Sequence, residues 1–93
     1  MVYVILVYDI KLDEKGPRIL RNVFKIVKKY LHHIQNSVFE GDISEAQIIK
    51  LKFELADYIR KDVDSVIMFE SRSEKWLEKE FLGMKDDNTS NFL

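Results

Sequence analysis

Residues 2–8 form an unbroken apolar stretch near the start of the chain. They are β-branched, aliphatic and aromatic residues, without the alternation of apolar and polar positions that marks a half-exposed strand. A strand has this composition when both of its faces are covered. The stretch therefore predicts a central β-strand, which ends at Asp9.

Two later stretches have apolar positions three and four residues apart, which is the spacing of amphipathic helices. The first starts at Gly16-Pro17, because a proline with its fixed φ suits the first turn of a helix, and its apolar positions continue to Leu31. The second starts after Ser44, which can form a capping box with Gln47, and continues to about Arg60.

The segments between and after the helices have the composition of strands. Residues 33–42 are interrupted by the polar residues 35–37, which favour turns, so we predict two short strands with a kink between them. Residues 63–69 have an apolar centre and predict one more strand.

The predicted order βαββαβ is that of the α+β ferredoxin-like fold. Right-handed crossovers would place both helices on one face of an antiparallel sheet and leave the other face bare. Because residues 2–8 have the composition of a strand covered on both faces, we expect a second protomer there. Residues 1–83 are expected to form one domain, followed by a flexible tail, residues 84–93. Within that domain, residues 76–83 have helical spacing, and an extra edge strand is the alternative.

Composition narrows the class of protein. The chain has 93 residues, of which 46% are hydrophobic and 33% are charged, as expected for one small folded domain. The absence of cysteine excludes disulfide bonds, thiolate nucleophiles and zinc sites that need sulfur. The longest apolar stretch, residues 2–8, is too short to span a membrane, so we expect a cytoplasmic protein.

The basic residues are unevenly distributed along the chain. Residues 15–39 contain six basic residues and no acidic one, although the whole chain has 15 basic and 16 acidic residues. Four of the six form one stripe on the first helix, because they are three or four residues apart. This basic stripe consists of Arg18, Arg21, Lys25 and Lys28. It is either an ordinary solvated helix face or a surface that binds nucleic-acid phosphates.

Asp9 lies at the carboxyl end of the predicted central strand and precedes the basic helix. Ligand sites are common at such strand ends, although an Asx turn or a cap at the start of the helix would also explain an aspartate here. Magnesium needs only one or two carboxylates, since water and phosphate oxygens complete its octahedron. Two Asp9 side chains related by a two-fold axis would therefore suffice for a metal site.

The remaining candidate side chains have structural interpretations. Ser37 lies in the predicted kink and has no histidine and acid placed around it in a nucleophile pattern. His32 and His33 are adjacent and would point to opposite faces of a strand, so they cannot chelate one metal ion. Aromatic side chains in apolar strands are more often core residues than platforms for base stacking. The aromatic residues concerned are Tyr3, Tyr8, Phe39 and Trp76.

Three segments together resemble one known family. They are the strand Tyr3-Val4-Ile5-Leu6-Val7-Tyr8-Asp9-Ile10, the helix arginines Arg18 and Arg21, and the run Gln35-Asn36-Ser37-Val38-Phe39-Glu40-Gly41. Over residues 1–69 the chain resembles the small CRISPR-associated endoribonuclease family, the second of the two core CRISPR adaptation proteins. Many members have an arginine two positions before the glutamine of the last run, where this chain has His33.

The resemblance implies a ferredoxin-like homodimer in which a C-terminal segment, here residues 76–83, adds a strand to the sheet of the partner. It also implies a phosphodiesterase that uses Mg²⁺, with Mn²⁺ as an alternative, bound by Asp9 of both protomers. Tyr8, Ser37 and Phe39 would be supporting residues, together with the helix arginines Arg18 and Arg21, which would hold the RNA or DNA strand. Family members also act in spacer acquisition, where they bridge dimers of the CRISPR integrase partner and hold duplex DNA.

Three functions follow as hypotheses. The first is hydrolysis of nucleic-acid phosphodiesters, with a metal ion at Asp9 and with Arg18 and Arg21 positioning the strand. The second is a non-catalytic adaptor that binds duplex DNA in the CRISPR integration complex, for which the basic stripe matters and Asp9 does not. The third is a ferredoxin-like regulatory domain for a small ligand, which only the fold supports.

Overall fold

The computed structural model describes residues 1–72 and Leu82, and its elements occur in the predicted order. They are β1 (Val2–Asp9), α1 (Gly16–Tyr30), β2 (His32–Gln35), β3 (Val38–Ile43), α2 (Glu45–Ala56) and β4 (Ser65–Ser71). Apart from Leu82, the predicted segment 76–83 and the tail 84–93 lie outside the described residues.

The four strands form one antiparallel sheet in the order β2-β3-β1-β4. β1 is central, as its continuous apolar sequence predicts, and pairs with β3 on one side and with β4 on the other. Val4, Leu6 and Tyr8 point to the face that the helices cover, because alternate residues of a strand point to opposite faces. The arrangement is the predicted α+β ferredoxin-like sandwich.

The core lies between the helices and this face of the sheet. Leu6 and Phe39 lie opposite each other on β1 and β3, and both are fully buried. Val23 and Val27 of α1 and Leu51 of α2 complete the core from the helix side. Both helices therefore pack their apolar faces against one side of the sheet. In the described part of the chain, no helix is long and apolar enough to cross a membrane.

Both helices start at their sequence signals. A Cβ atom on Gly16 would lie 2.3 Å from the Lys11 carbonyl oxygen, so the start of α1 has room only for glycine. At the start of α2, the Gln47 amide donates to Ser44 Oγ at 3.1 Å, and the Ser44 amide donates to Gln47 Oε1 at 2.9 Å. The predicted capping box is confirmed.

The predicted boundary between α2 and β4 is wrong by a few residues. α2 ends at Ala56 rather than near Arg60, and β4 starts at Ser65 rather than two residues earlier. The backbone N–H groups of Val63 and Asp64 both donate to the Arg60 carbonyl, at 3.2 and 2.8 Å, and so form a turn between the two elements. Apolar spacing continues past the end of α2 to Ile59, but the hydrogen bonds of the turn decide the backbone conformation of this segment.

The second face of the sheet, called the open face below, carries an apolar surface. Ile5 of β1 pairs with Phe69, and Val7 pairs with Ile67. Ile67 and Phe69 are 52% and 53% exposed, while Ile5 and Val7 are half-buried. Tyr3 is buried at one end of this face, where its hydroxyl donates to Glu40. The second protomer that we expect on this face stays a prediction.

Candidate metal and nucleic-acid site

Asp9 is the last residue of β1, and its side chain is exposed. It pairs with Ser65 of β4 and shares the open face with Ile5 and Val7, because these three residues alternate with the inward-facing positions of the strand. Among the residues that the structure describes, no hydrogen bond or ion pair engages the Asp9 carboxylate. The carboxylate is therefore available to a cation from solvent.

The turn that leads into α1 is held by the side chain of Asp13 and not by that of Asp9. The Asp13 carboxylate accepts hydrogen bonds from the backbone N–H groups of Lys15 and Gly16, at 3.2 and 3.1 Å. An aspartate side chain that binds the backbone two and three residues later forms an Asx turn. The Asx turn that we considered for Asp9 is thus formed by Asp13.

The predicted supporting residues Tyr8, Ser37 and Phe39 lie together on the helix side of the sheet. The Tyr8 amide donates to the Ser37 carbonyl at 3.2 Å, and the Tyr8 and Phe39 rings stack with centroids 5.9 Å apart. Burial raises the pKa of the Tyr8 phenol, so the group stays neutral. These residues fix the end of β1, and Asp9 follows directly on the opposite face.

An open groove of about 300 Å³ lies beside this cluster. It is lined by Tyr8, Leu20, Phe24, Asn36 and Ser37. Leu20 and Phe24 are one helical turn apart on α1, while Asn36 and Ser37 form the turn between β2 and β3. Three separate segments of the chain therefore build the groove. From helical spacing alone, Leu20 and Phe24 were predicted only to lie on the apolar face of α1.

The basic stripe is exposed along its whole length. In the described part of the chain, none of its four residues forms an ion pair. The neighbouring Lys29, in contrast, pairs with Glu54 of α2. Within the stripe, Lys28 Nζ lies 5.6 Å from the centroid of the ring of Phe24, a residue that lines the groove. The stripe thus borders the groove, and its charges are available to an anionic ligand.

The two histidines have structural contacts. His32 pairs with Glu40 and His33 with Phe39, so their side chains point to opposite faces as predicted. The His33 ring contacts the Phe24 and Phe39 rings at centroid distances of 5.0 and 4.8 Å. Among residues 1–72 and Leu82, no group of three or more histidine or acidic side chains could hold a metal ion. One protomer therefore supplies at most two such side chains from its described residues to a metal ion at Asp9, which is within the one or two carboxylates that Mg²⁺ takes.

Sequence reasoning missed a network of charged residues that joins two loops. The Asp64 carboxylate has an exposed fraction of 0% and accepts hydrogen bonds from Arg60 Nε at 2.9 Å and from the Lys11 amide at 2.9 Å. Arg60 also donates twice to Asp13, at 2.7 and 2.8 Å. The loop that follows Asp9 is thereby attached to the loop that precedes β4.

The charges of this network shift the pKa values of its members. Hydrogen bonds from Arg60 lower the pKa of Asp64 to about 2 and lower the pKa of Asp13. The two carboxylates raise the pKa of Arg60, which stays protonated. The only sequence signal for this network was the end of helical apolar spacing near Arg60, since an aspartate four residues later does not by itself identify a buried ion pair.

The family comparison covers most of the chain. Residues 1–79 match the family model for CRISPR associated protein Cas2. The chain is 61% identical to the CRISPR-associated endoribonuclease Cas2 of Fusobacterium nucleatum subsp. nucleatum, over 99% of this chain and 87% of the relative. It is 44% identical to the CRISPR-associated endoribonuclease Cas2 2 of Moorella thermoacetica, over 96% of this chain and 99% of the relative.

Two solved structures have the same fold as this chain. A crystal structure of cas2 superposes with a TM-score of 0.79 at 32% identity, over 92% of this chain and 91% of the other. Streptococcus pyogenes Cas2 at pH 6.5 superposes with a TM-score of 0.78 at 29% identity, over 87% of this chain and 99% of the other.

Proposed function

Because the chain belongs to the CRISPR-associated Cas2 family, we propose that it is a magnesium-dependent endoribonuclease that takes part in CRISPR antiviral defence and spacer acquisition. The similar proteins of Fusobacterium and Moorella are named as endoribonucleases. The observation that carries the proposal is an exposed carboxylate without a partner in the described chain, at the end of the central strand and before a basic helix. A carboxylate is a ligand that Mg²⁺ takes, and basic side chains bind the phosphates of nucleic acids.

A homodimer would complete the metal site. Asp9 shares the open face with Ile5, Val7, Ile67 and Phe69, so a two-fold axis that crosses this face beside Asp9 would bring two Asp9 carboxylates near each other. Burial of these side chains would favour the dimer, because each buried Å² of apolar surface contributes about 25 cal/mol. Sedimentation equilibrium of the full chain should give the mass of a dimer, and a monomer at micromolar concentration would contradict this assembly.

Each residue of the site would have a distinct role. Asp9 would hold Mg²⁺, with Mn²⁺ as a substitute, and Arg18 and Arg21 would bind the substrate phosphates. When bound, the ion supplies an activated water and neutralises charge on the phosphate. Tyr8 and Phe39 would keep the end of β1 rigid through their stacked rings, and Ser37 through its hydrogen bond to the Tyr8 amide.

The test of this proposal is cleavage of labelled single-stranded RNA and duplex DNA by the wild-type protein. We expect cleavage in Mg²⁺, no cleavage in excess EDTA and recovery when Mg²⁺ is restored, because Asp9 alone has no means of activating water on a phosphodiester. Cleavage that persists in excess EDTA would contradict the role of the metal ion and would indicate a contaminating nuclease or another mechanism.

The second candidate function is the non-catalytic adaptor that binds duplex DNA and bridges dimers of the CRISPR integrase partner. Exposure of the basic stripe favours it, since four cations on one helix have no acidic partner in the described chain. A dimer would present two such stripes to one duplex. In this function the metal site is dispensable and the stripe is not.

Charge reversal tests the adaptor function. The double variant Arg18→Glu, Arg21→Glu should weaken duplex DNA binding by at least about tenfold at 0.1 M salt, because each lost phosphate contact removes about 0.9 from the slope of log K against log salt. The matched control is Lys50→Glu, Lys61→Glu, which changes net charge equally at exposed positions outside the stripe. Equal weakening by both variants would show that net charge, and not the stripe, governs binding.

A further inference from the structure

We propose that Arg60 is a positioning residue for the metal-dependent cleavage, which fixes Asp9 relative to the basic stripe and does not itself bind substrate. This inference rests on the proposed function and adds a residue that lies outside every motif of the sequence. Arg60 belongs to the loop between α2 and β4. Its guanidinium contacts the segment after Asp9 and the turn before α1, and so joins the two parts of the candidate site.

The Arg60 guanidinium has no hydrogen left to donate to a phosphate. It donates five hydrogen bonds at 2.7 to 3.0 Å, two to Asp13, two to Asp64 and one to the Lys11 carbonyl. A guanidinium has five N–H hydrogens, so all of them are engaged. The side chain is also only 20% exposed, whereas the residues of the basic stripe are exposed. Arg60 therefore differs from an arginine that binds phosphate, whose donors are open to solvent.

The ion pair of Arg60 and Asp64 holds the backbone of Lys11 from both sides. The Lys11 N–H donates to Asp64 Oδ1 at 2.9 Å, and the Lys11 carbonyl accepts from Arg60 Nη2 at 2.9 Å. On the neighbouring strand, Ser65 directly follows Asp64 and forms the last pair of the β1–β4 ladder with Asp9. Asp9 therefore lies between a strand pair and an anchored loop residue. Because its carboxylate has no partner in the described chain, its position depends on the backbone.

Asp13 extends the contact from Arg60 to the basic helix. Its carboxylate accepts twice from Arg60 Nη1, at 2.7 and 2.8 Å. The same carboxylate accepts from the backbone N–H groups of Lys15 and Gly16, where α1 begins. Arg18, the first residue of the basic stripe, follows Gly16 by two positions. One guanidinium thus holds both the segment after the proposed metal ligand and the start of the helix that would bind phosphates.

This connection matters because hydrolysis needs the metal ion and the bound phosphate in a fixed relative position. An error of about 1 Å in such a position can lower a rate by about 100-fold. The turnover number then falls, while binding of the strand by the basic stripe does not change. If Arg60 had only a structural role, the folded molecules of a destabilised variant would still bind metal and cleave like the wild type.

Two variants loosen the contacts of Arg60 and are expected to keep the fold. Arg60→Lys keeps the positive charge, but one ammonium group cannot replace a planar guanidinium that binds three partners. Asp13→Asn removes the charge that Arg60 contacts and keeps an amide oxygen for the N–H groups at the start of α1. The control is Ser44→Ala, which removes the cap of α2 and lowers stability without touching these contacts. Urea unfolding gives the stability of each variant, and all assays use a temperature at which each is folded.

Three quantities are measured for each protein. They are Mn²⁺ affinity by electron paramagnetic resonance without nucleic acid, kcat and KM for RNA cleavage in Mg²⁺, and RNA binding in excess EDTA. Arg60→Lys should lose about 10- to 100-fold in Mn²⁺ affinity and in kcat, the range found when the support of a metal ligand is removed. Asp13→Asn should lose less in the same two quantities. KM and RNA binding in EDTA should stay at wild-type values, and Ser44→Ala should match the wild type throughout.

Wild-type Mn²⁺ affinity and kcat in folded Arg60→Lys, or equal losses in Ser44→Ala, would overturn the role of Arg60. Weaker RNA binding by Arg60→Lys in EDTA would also contradict it, because Arg60 would then act on the phosphates. Should Arg60→Lys not fold, the same comparisons apply to Asp13→Asn. A wild type that binds Mn²⁺ without cleaving RNA would contradict the proposed function alone, since the Mn²⁺ affinities still decide the role of Arg60. A wild type that does not bind Mn²⁺ would overturn both.

Discussion

Replacing Asp9 with asparagine is expected to abolish magnesium-dependent cleavage and to leave the fold and the dimer unchanged. The substitution removes the negative charge that would hold the ion and keeps the size of the side chain. Loss of an ion that contributes several kcal/mol to the transition state lowers the rate by about 100-fold or more. Stability should not change, because the Asp9 side chain is exposed and has no partner among the described residues.

The assay needs a control that changes charge without touching the site. Asp62→Asn makes the same substitution at an exposed position in the loop before β4 and should cleave like the wild type. Titration of Mn²⁺, followed by electron paramagnetic resonance, gives a second readout, in which only Asp9→Asn should lose tight binding. Full cleavage by Asp9→Asn would refute the assignment of the metal ligand. No cleavage by any of the proteins, with duplex DNA still bound, would favour the adaptor function.

Replacing Asp64 with asparagine should destabilise the fold by about 2 to 3 kcal/mol at neutral pH. Breaking a buried ion pair costs about 3 to 5 kcal/mol, and the loss is smaller here because the Arg60 side chain is 20% exposed. The asparagine amide would also place donor hydrogens against the N–H groups of Arg60 and Lys11 that now donate to the carboxylate. Urea unfolding measures this difference, with Asp62→Asn as the exposed control.

The dependence of stability on pH gives the Asp64 prediction a second test. The pKa of Asp64 is about 2 in the folded chain and about 3.9 in an unfolded one. A carboxyl group with a depressed pKa stabilises the fold above its unfolded pKa, and this contribution is lost as the pH falls from about 4 toward 2. Wild type should therefore lose more stability than Asp64→Asn across this interval. Parallel curves for the two proteins would contradict the assigned role of Asp64.

The network of Arg60, Asp64 and Asp13 also positions the loop beside the candidate site. Its hydrogen bonds to the Lys11 backbone lie two residues after Asp9 and hold the loop that connects β1 to the basic helix. Weakening of this network would therefore change the position of both the end of β1 and the start of α1. The Asp64→Asn variant is thus a test of stability and not a test of catalysis.

The elements that could be predicted from the sequence depend on neighbours a few residues apart. The capping box joins Ser44 to Gln47, and the apolar spacing of α1 needs only contacts three and four residues away. The central position of β1 was also predictable, because residues 2–8 are too apolar for an edge strand. The predicted positions of Asp9 at a strand end and of the basic stripe on one helix followed from the same local rules.

The sequence by itself determined the order of elements, the helix starts, the central strand and the candidate residues, since each depends on local backbone hydrogen bonding or on side-chain period. Only the structure showed which face Asp9 occupies, which aspartate forms the Asx turn before α1 and where the groove lies. Arg60 meets Asp13 across 47 residues, and Asp64 meets the Lys11 amide across 53. Packing of the helices on the sheet brings such distant segments together, and no periodicity of the sequence predicts which pairs of residues come into contact.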